Sequence, residues 1–249
     1  LPEPKTIKQL RTYLLFGALA LSSLNITQAD DIFKGMKGPT KFQLDGRGTY
    51  SKNSRNIKNF TNNLILKYWD GGENSIGQWA FVNLPYKFQK DKRGFGDITM
   101  GGGPRGKTRE LNWFLYGALT IPTRNKGLSN ERYDIRAGTF VTYLTKDKKF
   151  HIDGALEYNF TGKNNSGINP SNEIYSGILA GGAVSDKIRF ATGLTDLIRS
   201  DGDFILNSRT VFRYTLSPDM HFELTGDIGI KNKNTPKSNS LGIFARYNF

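Results

Sequence analysis

The chain has 249 residues, no cysteine and a formal charge of +13. Lack of cysteine excludes disulfides, thiolate metal sites and thiol nucleophiles, and the basic balance raises an anionic membrane surface or nucleic acid as partner. Hydrophobic residues are only 37%, yet aromatics reach 12% and glycines number 28, which fits short amphipathic strands better than a thick apolar core.

At the N-terminus, Lys5, Lys8 and Arg11 precede an apolar run from Tyr13 to Leu21, followed by a polar tail with small residues at Thr27 and Ala29. This order predicts a signal peptide over residues 1–29, removed after Ala29. Residues 30–39 are expected to form a periplasmic segment or plug, and residues 40–249 a single domain. No later stretch is apolar for the roughly 20 residues that a membrane helix needs, so a membrane reading must be a barrel reading.

From about residue 40 the dominant period is two, the spacing that sends alternate side chains to opposite faces of a sheet. Strands are predicted near 40–51, 58–69, 76–88, 94–105, 109–121, 132–144, 149–160, 173–184, 186–198, 206–216, 219–231 and 239–249. Phe150, Ile152, Gly154, Leu156, Tyr158 and Phe160 take one face while His151, Asp153, Ala155, Glu157 and Asn159 take the other. Tight links such as Lys146-Asp147, Ser185 and Ser217-Pro218 alternate with longer ones over 122–131, 161–172, 199–205 and 232–238. Short turns at one rim and long loops at the other predict an all-β fold, a transmembrane antiparallel up-and-down barrel of about twelve strands in the outer membrane of a Gram-negative bacterium. In the last strand Tyr247 and Phe249 form an aromatic C-terminal signature of the kind that the barrel assembly machinery reads, and closure onto the strand near Phe42 would remove a sticky edge.

Basic residues crowd the expected outer loops, among them Lys52, Arg55, Lys58, Lys90, Lys92, Arg93, Arg124, Lys126, Lys163, Lys231, Lys233 and Lys237. Such a rim suits outer-membrane lipids and lipopolysaccharide. No basic helix or nucleic-acid motif accompanies the charge, so nucleic acid is not expected as a partner. The inward face is expected to carry Arg47, Lys67, Arg136, Arg189, Arg209, Arg213 and Arg246 together with Trp69, Trp79, Phe81, Phe114, Tyr116 and Phe140. Two readings of these rings stay open: a path for apolar or aromatic solutes, or filling for a small barrel.

Gly101-Gly102-Gly103-Pro104-Arg105-Gly106-Lys107-Thr108 matches the phosphate-loop pattern, but that loop must lead into a helix, and residues 111–121 alternate as a strand. It is read as a glycine-rich strand end and turn. His151 and His221 are the only histidines, too isolated for a metal cluster, and no Ser-His pair is proposed by a local motif. No cofactor and no catalysis are expected; His151 is the residue to mutate first if a hydrolase were considered.

Gly94-Phe95-Gly96-Asp97-Ile98, followed later by Leu119-Thr120-Ile121-Pro122-Thr123, resembles the outer-membrane family linked to the meta-pathway of phenol degradation. The resemblance rests on Gly94, Gly96, Asp97, Pro122 and Thr123, with Ile121 standing for a leucine and Arg124 for a glycine. It implies a barrel of this size and a role in passing hydrophobic or aromatic compounds. The function expected is therefore an outer-membrane channel or transporter for such small solutes. The alternative is a structural or surface-interaction barrel with a plugged lumen and loops that bind lipopolysaccharide or a partner.

Overall fold

In the computed structural model the described residues are 42–249, without 54–57, 71–73, 90–91, 124–127, 165–166 and 168–169. The expected signal peptide over 1–29 and the segment over 30–39 lie outside them, as do the loop cations Arg55, Lys90, Arg124 and Lys126. Thirteen strands follow one another: β1 (Phe42–Asn53), β2 (Lys58–Trp69), β3 (Ser75–Gln89), β4 (Lys92–Phe95), β5 (Ile98–Lys107), β6 (Leu111–Ile121), β7 (Asp134–Leu144), β8 (Phe150–Thr161), β9 (Glu173–Ala183), β10 (Ile188–Arg199), β11 (Phe204–Ser217), β12 (Met220–Lys233) and β13 (Ser238–Asn248).

Each pairs antiparallel with its neighbours, and the ring closes where β1 meets β13, from Gln43 opposite Asn248 to Asn53 opposite Ser238. Beyond this register the Phe249 N–H donates to the Phe42 carbonyl at 3.0 Å, so the seam is zipped to the last residue. Strands β4 and β5 both pair with β3, β4 against Tyr86 to Gln89 and β5 against Ser75 to Asn83. They are two parts of one stave, interrupted at Gly96 and Asp97, so twelve staves make a closed antiparallel barrel. Closure gives every stave a neighbour on each side, which is the condition for strands to exist in hydrocarbon.

The rim that carries the links 70–74, 108–110, 145–149, 184–187 and 218–219 is the rim of short turns, and the opposite rim carries the long links 122–133 and 162–172. By that asymmetry the first rim is periplasmic and the second faces outward. The links expected over 199–205 and 232–238 shrink to 200–203 and 234–237, because β11 and β12 run further into them than the polar sequence suggests. Backbone pairing there continues past the apolar band, with a bulge at Leu206 and Asn207.

Side-chain alternation divides inside from outside. Along β8, His151, Asp153, Ala155, Glu157 and Asn159 are buried, whereas Phe150 is 45%, Leu156 52% and Phe160 51% exposed. A polar buried face behind an apolar exposed one is the reverse of a soluble sandwich and is stable only when the outer face meets lipid. Aromatic pairs mark both edges of the apolar band: Phe42 with Tyr68 at the inner rim, Phe60 with Phe88 and Tyr86 with Phe95 at the outer. Residues 101–107 of the phosphate-loop match lie in β5, and Leu111 to Ile121 form a strand, not a helix.

Candidate functional site

The ring of strands encloses a lumen whose contents differ by height and by side. On β2, β3, β6 and β7 the inward positions hold Trp69, Trp79, Phe81, Phe114, Tyr116 and Phe140, all buried and forming one cluster. Trp79 stacks on Phe81 at 5.3 Å and on Trp69 at 6.2 Å, while Tyr116 lies parallel to Phe140 at 5.5 Å. Each such pair contributes about 0.5–1.5 kcal/mol beyond the area it buries. The glycines of β5 make the cluster possible. Gly101 and Gly103 are paired with Phe81 and Trp79, and the Trp79 indole crosses β5 to donate to the Leu115 carbonyl at 3.1 Å.

A second crossing sets the height of Tyr116. This ring covers Gly138, where a Cβ would stand 2.7 Å from it, and its hydroxyl donates to Glu157 on the strand beyond. Arg136 stands 3.8 Å from the same carboxylate. Arg105, whose inward position was hidden inside the glycine-rich motif, lies over Trp69 at 5.1 Å and over Phe114 at 5.5 Å. Strand parity from Thr99 would have found it.

Next to the rings, from β2 round through β1 and β13 to β11, the wall is ionic. Asp45 receives Lys67 at 2.6 Å, Arg246 at 2.9 Å and the Gln43 amide at 2.5 Å, all buried. Arg213 grips Glu223 at 2.5 Å, and Arg209 holds Asp227 through two bonds of 2.6 and 3.0 Å. Phe244 lies beneath the guanidinium groups of Arg47 and Arg246, at 5.1 and 5.2 Å. Low dielectric strengthens such pairs, and breaking one leaves an uncompensated charge. His221 faces Glu223 at 3.7 Å within this ionic wall, whereas His151 faces Asp153 at 3.3 Å on β8, the strand beside β7.

Of the inward residues expected from sequence, Arg189 stands apart. It is half-buried at the inner rim and donates to the Lys148 carbonyl at 3.1 Å. The other twelve occupy the interior: the rings together, Arg47, Lys67, Arg209, Arg213 and Arg246 on the ionic side, and Arg136 beside Glu157. Tyr247 and Phe249 point outward, 47% and 63% exposed, and pack edge to face at 5.1 Å.

Above the rings the lumen opens into a basin of about 420 Å³. Arg47, Lys67, Lys87 and Arg136 line it with Asp97, Asn63, Asn83 and Thr99, and Phe81 and Ile65 belong to its lining. One edge is the end of the link between β6 and β7, where Leu128 is 3% exposed and Asn130 reaches the basin. Asp97 holds that link, accepting from the Thr123 N–H at 3.1 Å and the Asn130 N–H at 2.6 Å. Lys87 donates to the Leu128 carbonyl at 2.9 Å, and the Thr123 hydroxyl to Phe95 at 3.3 Å.

The two short motifs are thus one clasp. Gly94 has a φ of 154°, and a Cβ at Gly96 would stand 2.6 Å from the Lys87 chain that passes it. Asp97 is the carboxylate they deliver, and Pro122 and Thr123 begin the link it secures.

Among the described residues no group of His, Asp and Glu is arranged to hold a metal. The fold is shared with an outer membrane channel from Pseudomonas putida F1, 13% identical, with a TM-score of 0.73 over 87% of this chain and 98% of that one. It is also shared with the NanC porin (15%, TM-score 0.59, 83% of this chain and 100% of that one). The CymD monoaromatic hydrocarbon channel matches at 8% and a TM-score of 0.54 over 94% of each chain. No curated protein matches the sequence. Residues 59–247 fit a single family model, almost the whole barrel wall, and the chain belongs to the family described as "Putative MetA-pathway of phenol degradation".

Proposed function

We propose that this barrel is an outer-membrane channel for small hydrophobic or aromatic solutes, with the lumen as path and without catalysis. The division of the lumen carries the reading: a wall of packed rings lies directly below a polar basin. A wide aqueous pore gains nothing from stacked rings inside it, whereas a solute with an apolar face can rest on them while polar groups orient it. The path so proposed runs past Arg47, Lys67, Phe81 and Arg136 and on beside Trp79, Phe114, Tyr116 and Phe140. The names of the monoaromatic hydrocarbon channel and the porin that share the fold support a solute-passing role.

Partners follow from the outer surface. The apolar band meets lipid, the exposed Lys52, Lys58, Lys92, Arg93, Lys163, Lys231, Lys233 and Lys237 suit lipopolysaccharide phosphates, and the outward Tyr247 and Phe249 suit the assembly machinery.

The alternative, a plugged structural barrel, is favoured by one observation: Trp69, Phe114, Phe140, Leu144, Asn112 and Thr142 in the inner half are almost wholly buried. Expression in a Gram-negative host separates the two, since lipopolysaccharide slows apolar solutes. A channel raises uptake of a labelled monoaromatic hydrocarbon and gives small conductance steps in a planar bilayer. Unchanged uptake with a silent bilayer would leave the plugged barrel as the correct reading.

A further inference from the structure

Along the ionic side of the lumen each carboxylate already holds at least one cation: Asp45 holds Lys67 and Arg246, Glu223 holds Arg213, Asp227 holds Arg209. The basin is different. Its wall holds the cations Arg47, Lys67, Lys87 and Arg136 against one carboxylate, Asp97, and both Asp97 oxygens are taken by backbone N–H groups of the β6–β7 link. Behind the wall Lys67 meets Asp45, Arg136 meets Glu157 at 3.8 Å, and Arg47 is within electrostatic reach of Glu223 and Asp45; because Arg246 and Arg213 already sit on Asp45 and Glu223, these groups together carry more positive than negative charge. A low-dielectric recess with one sign of charge concentrates the opposite sign.

A second observation concerns hydrogen bonds. Arg136 Nε and Asn63 Nδ2, both on basin residues, are buried donors without a hydrogen-bond partner among the described residues, beside one buried acceptor in the same position, Asn83 Oδ1. Buried donors are as a rule satisfied, so two unmet donors in one recess call for an acceptor that is brought in. The third observation is Phe81, which lines the basin and stacks on Trp79 at an interplanar angle of 18°. It offers a flat apolar surface below the cations, in a recess whose volume falls in the range of small-molecule sites.

We propose that the basin is a binding site for aromatic anions, single-ring carboxylates or sulfonates, with the acid group on Arg136 and Lys87 and the ring on Phe81. This rests on the channel reading and narrows it. A neutral hydrocarbon leaves the cations and the unmet donors unanswered, and an aromatic cation is repelled. Arg136 presents a planar fork suited to two acid oxygens, while Lys87 adds a point charge.

The test uses the full chain in planar bilayers and proteoliposomes with three probes that cross lipid poorly: benzenesulfonate, phenyl glucoside and phenyltrimethylammonium. Benzenesulfonate is expected to enter about tenfold faster than the cation, the ratio that roughly 1.4 kcal/mol of electrostatic preference produces, and the reversal potential in a benzenesulfonate gradient to show anion selectivity. Arg136→Gln should bring the two rates together, and Arg136→Lys should retain most of the preference; a heat-dependent gel shift confirms that each variant is folded. Equal rates for anion and cation in the parent barrel overturn the proposal and leave the channel reading in place. Passage of none of the probes overturns the proposal, and the channel reading falls with it only if the labelled monoaromatic hydrocarbon is also not taken up. Unchanged selectivity in Arg136→Gln removes Arg136 from the site and sinks the arrangement proposed.

Discussion

Asp45 lies one strand from Lys67 and, across the closing seam, one strand from Arg246. One carboxylate thereby staples β13, β1 and β2. Asp45→Asn leaves two buried cations facing each other, and the expected loss is about 3–5 kcal/mol. It should appear as a lower urea midpoint for unfolding in detergent; an unchanged midpoint would mean that backbone pairing alone holds the seam. Asp147 acts at the same scale outside the membrane. Its carboxylate accepts from the Thr145 hydroxyl at 2.6 Å and the Lys149 N–H at 3.1 Å, and these bonds, the hydroxyl first, hold its pKa below the ordinary 3.8. Because the folded value is depressed, the stabilisation is complete above that ordinary value and is lost as pH falls below it. Amide exchange at Lys149, corrected for its intrinsic pH dependence, should lose protection in that acid window and not at neutral pH. Single positions such as these were legible as types, an inward Asp and a turn Asp; the partners of Asp147 are local, but those of Asp45 were not legible, because Lys67 and Arg246 come from distant parts of the chain.

Strand β5 and the β6–β7 link show what changes at the scale of elements. Alternation in the sequence predicts one strand over 94–105, whereas the backbone breaks at Gly96 and Asp97 so that Asp97 can reach the link. The motifs around Asp97 and Thr123 are separate in sequence and in direct contact in the fold. Asp97→Ala removes both bonds to the link, each worth about 1.5–3 kcal/mol for a charged acceptor. The link should then leave the lumen and trypsin should cut after Arg132 faster than in the parent, while the heat-dependent gel shift persists. Parent-like cleavage would show that Leu128 packing, not the carboxylate, holds the link. Leu128 itself went unnoticed because a lone Leu among polar loop residues carries no periodicity.

For the molecule as a whole, the distinction that governs stability is which side of the wall a residue faces. Leu156 is outward, at mid-strand and 52% exposed, so Leu156→Arg places a charge near the bilayer midplane and should cost about 2–4 kcal/mol. Measured by unfolding from lipid vesicles, the loss should shrink when the same change is made at Phe160, nearer the outer rim. Equal losses at the two depths would place the bilayer elsewhere on the barrel. The cations that gave the sequence its basic character also divide by side, those of the outer rim exposed to solvent and those of the lumen buried among carboxylates and rings.

Parity in the sequence was enough for an all-β chain, an antiparallel barrel of about twelve strands, the inward and outward faces of most strands, and the rim of short turns. Period two is local, so it survives without knowledge of the fold. Which inward residues meet was settled by the closed ring. The order of staves and their stagger set Asp45 between Lys67 and Arg246, carry Trp79 across β5 to Leu115 and bring Asp97 to the β6–β7 link. Those meetings depend on register and closure around the whole ring, which no single strand encodes.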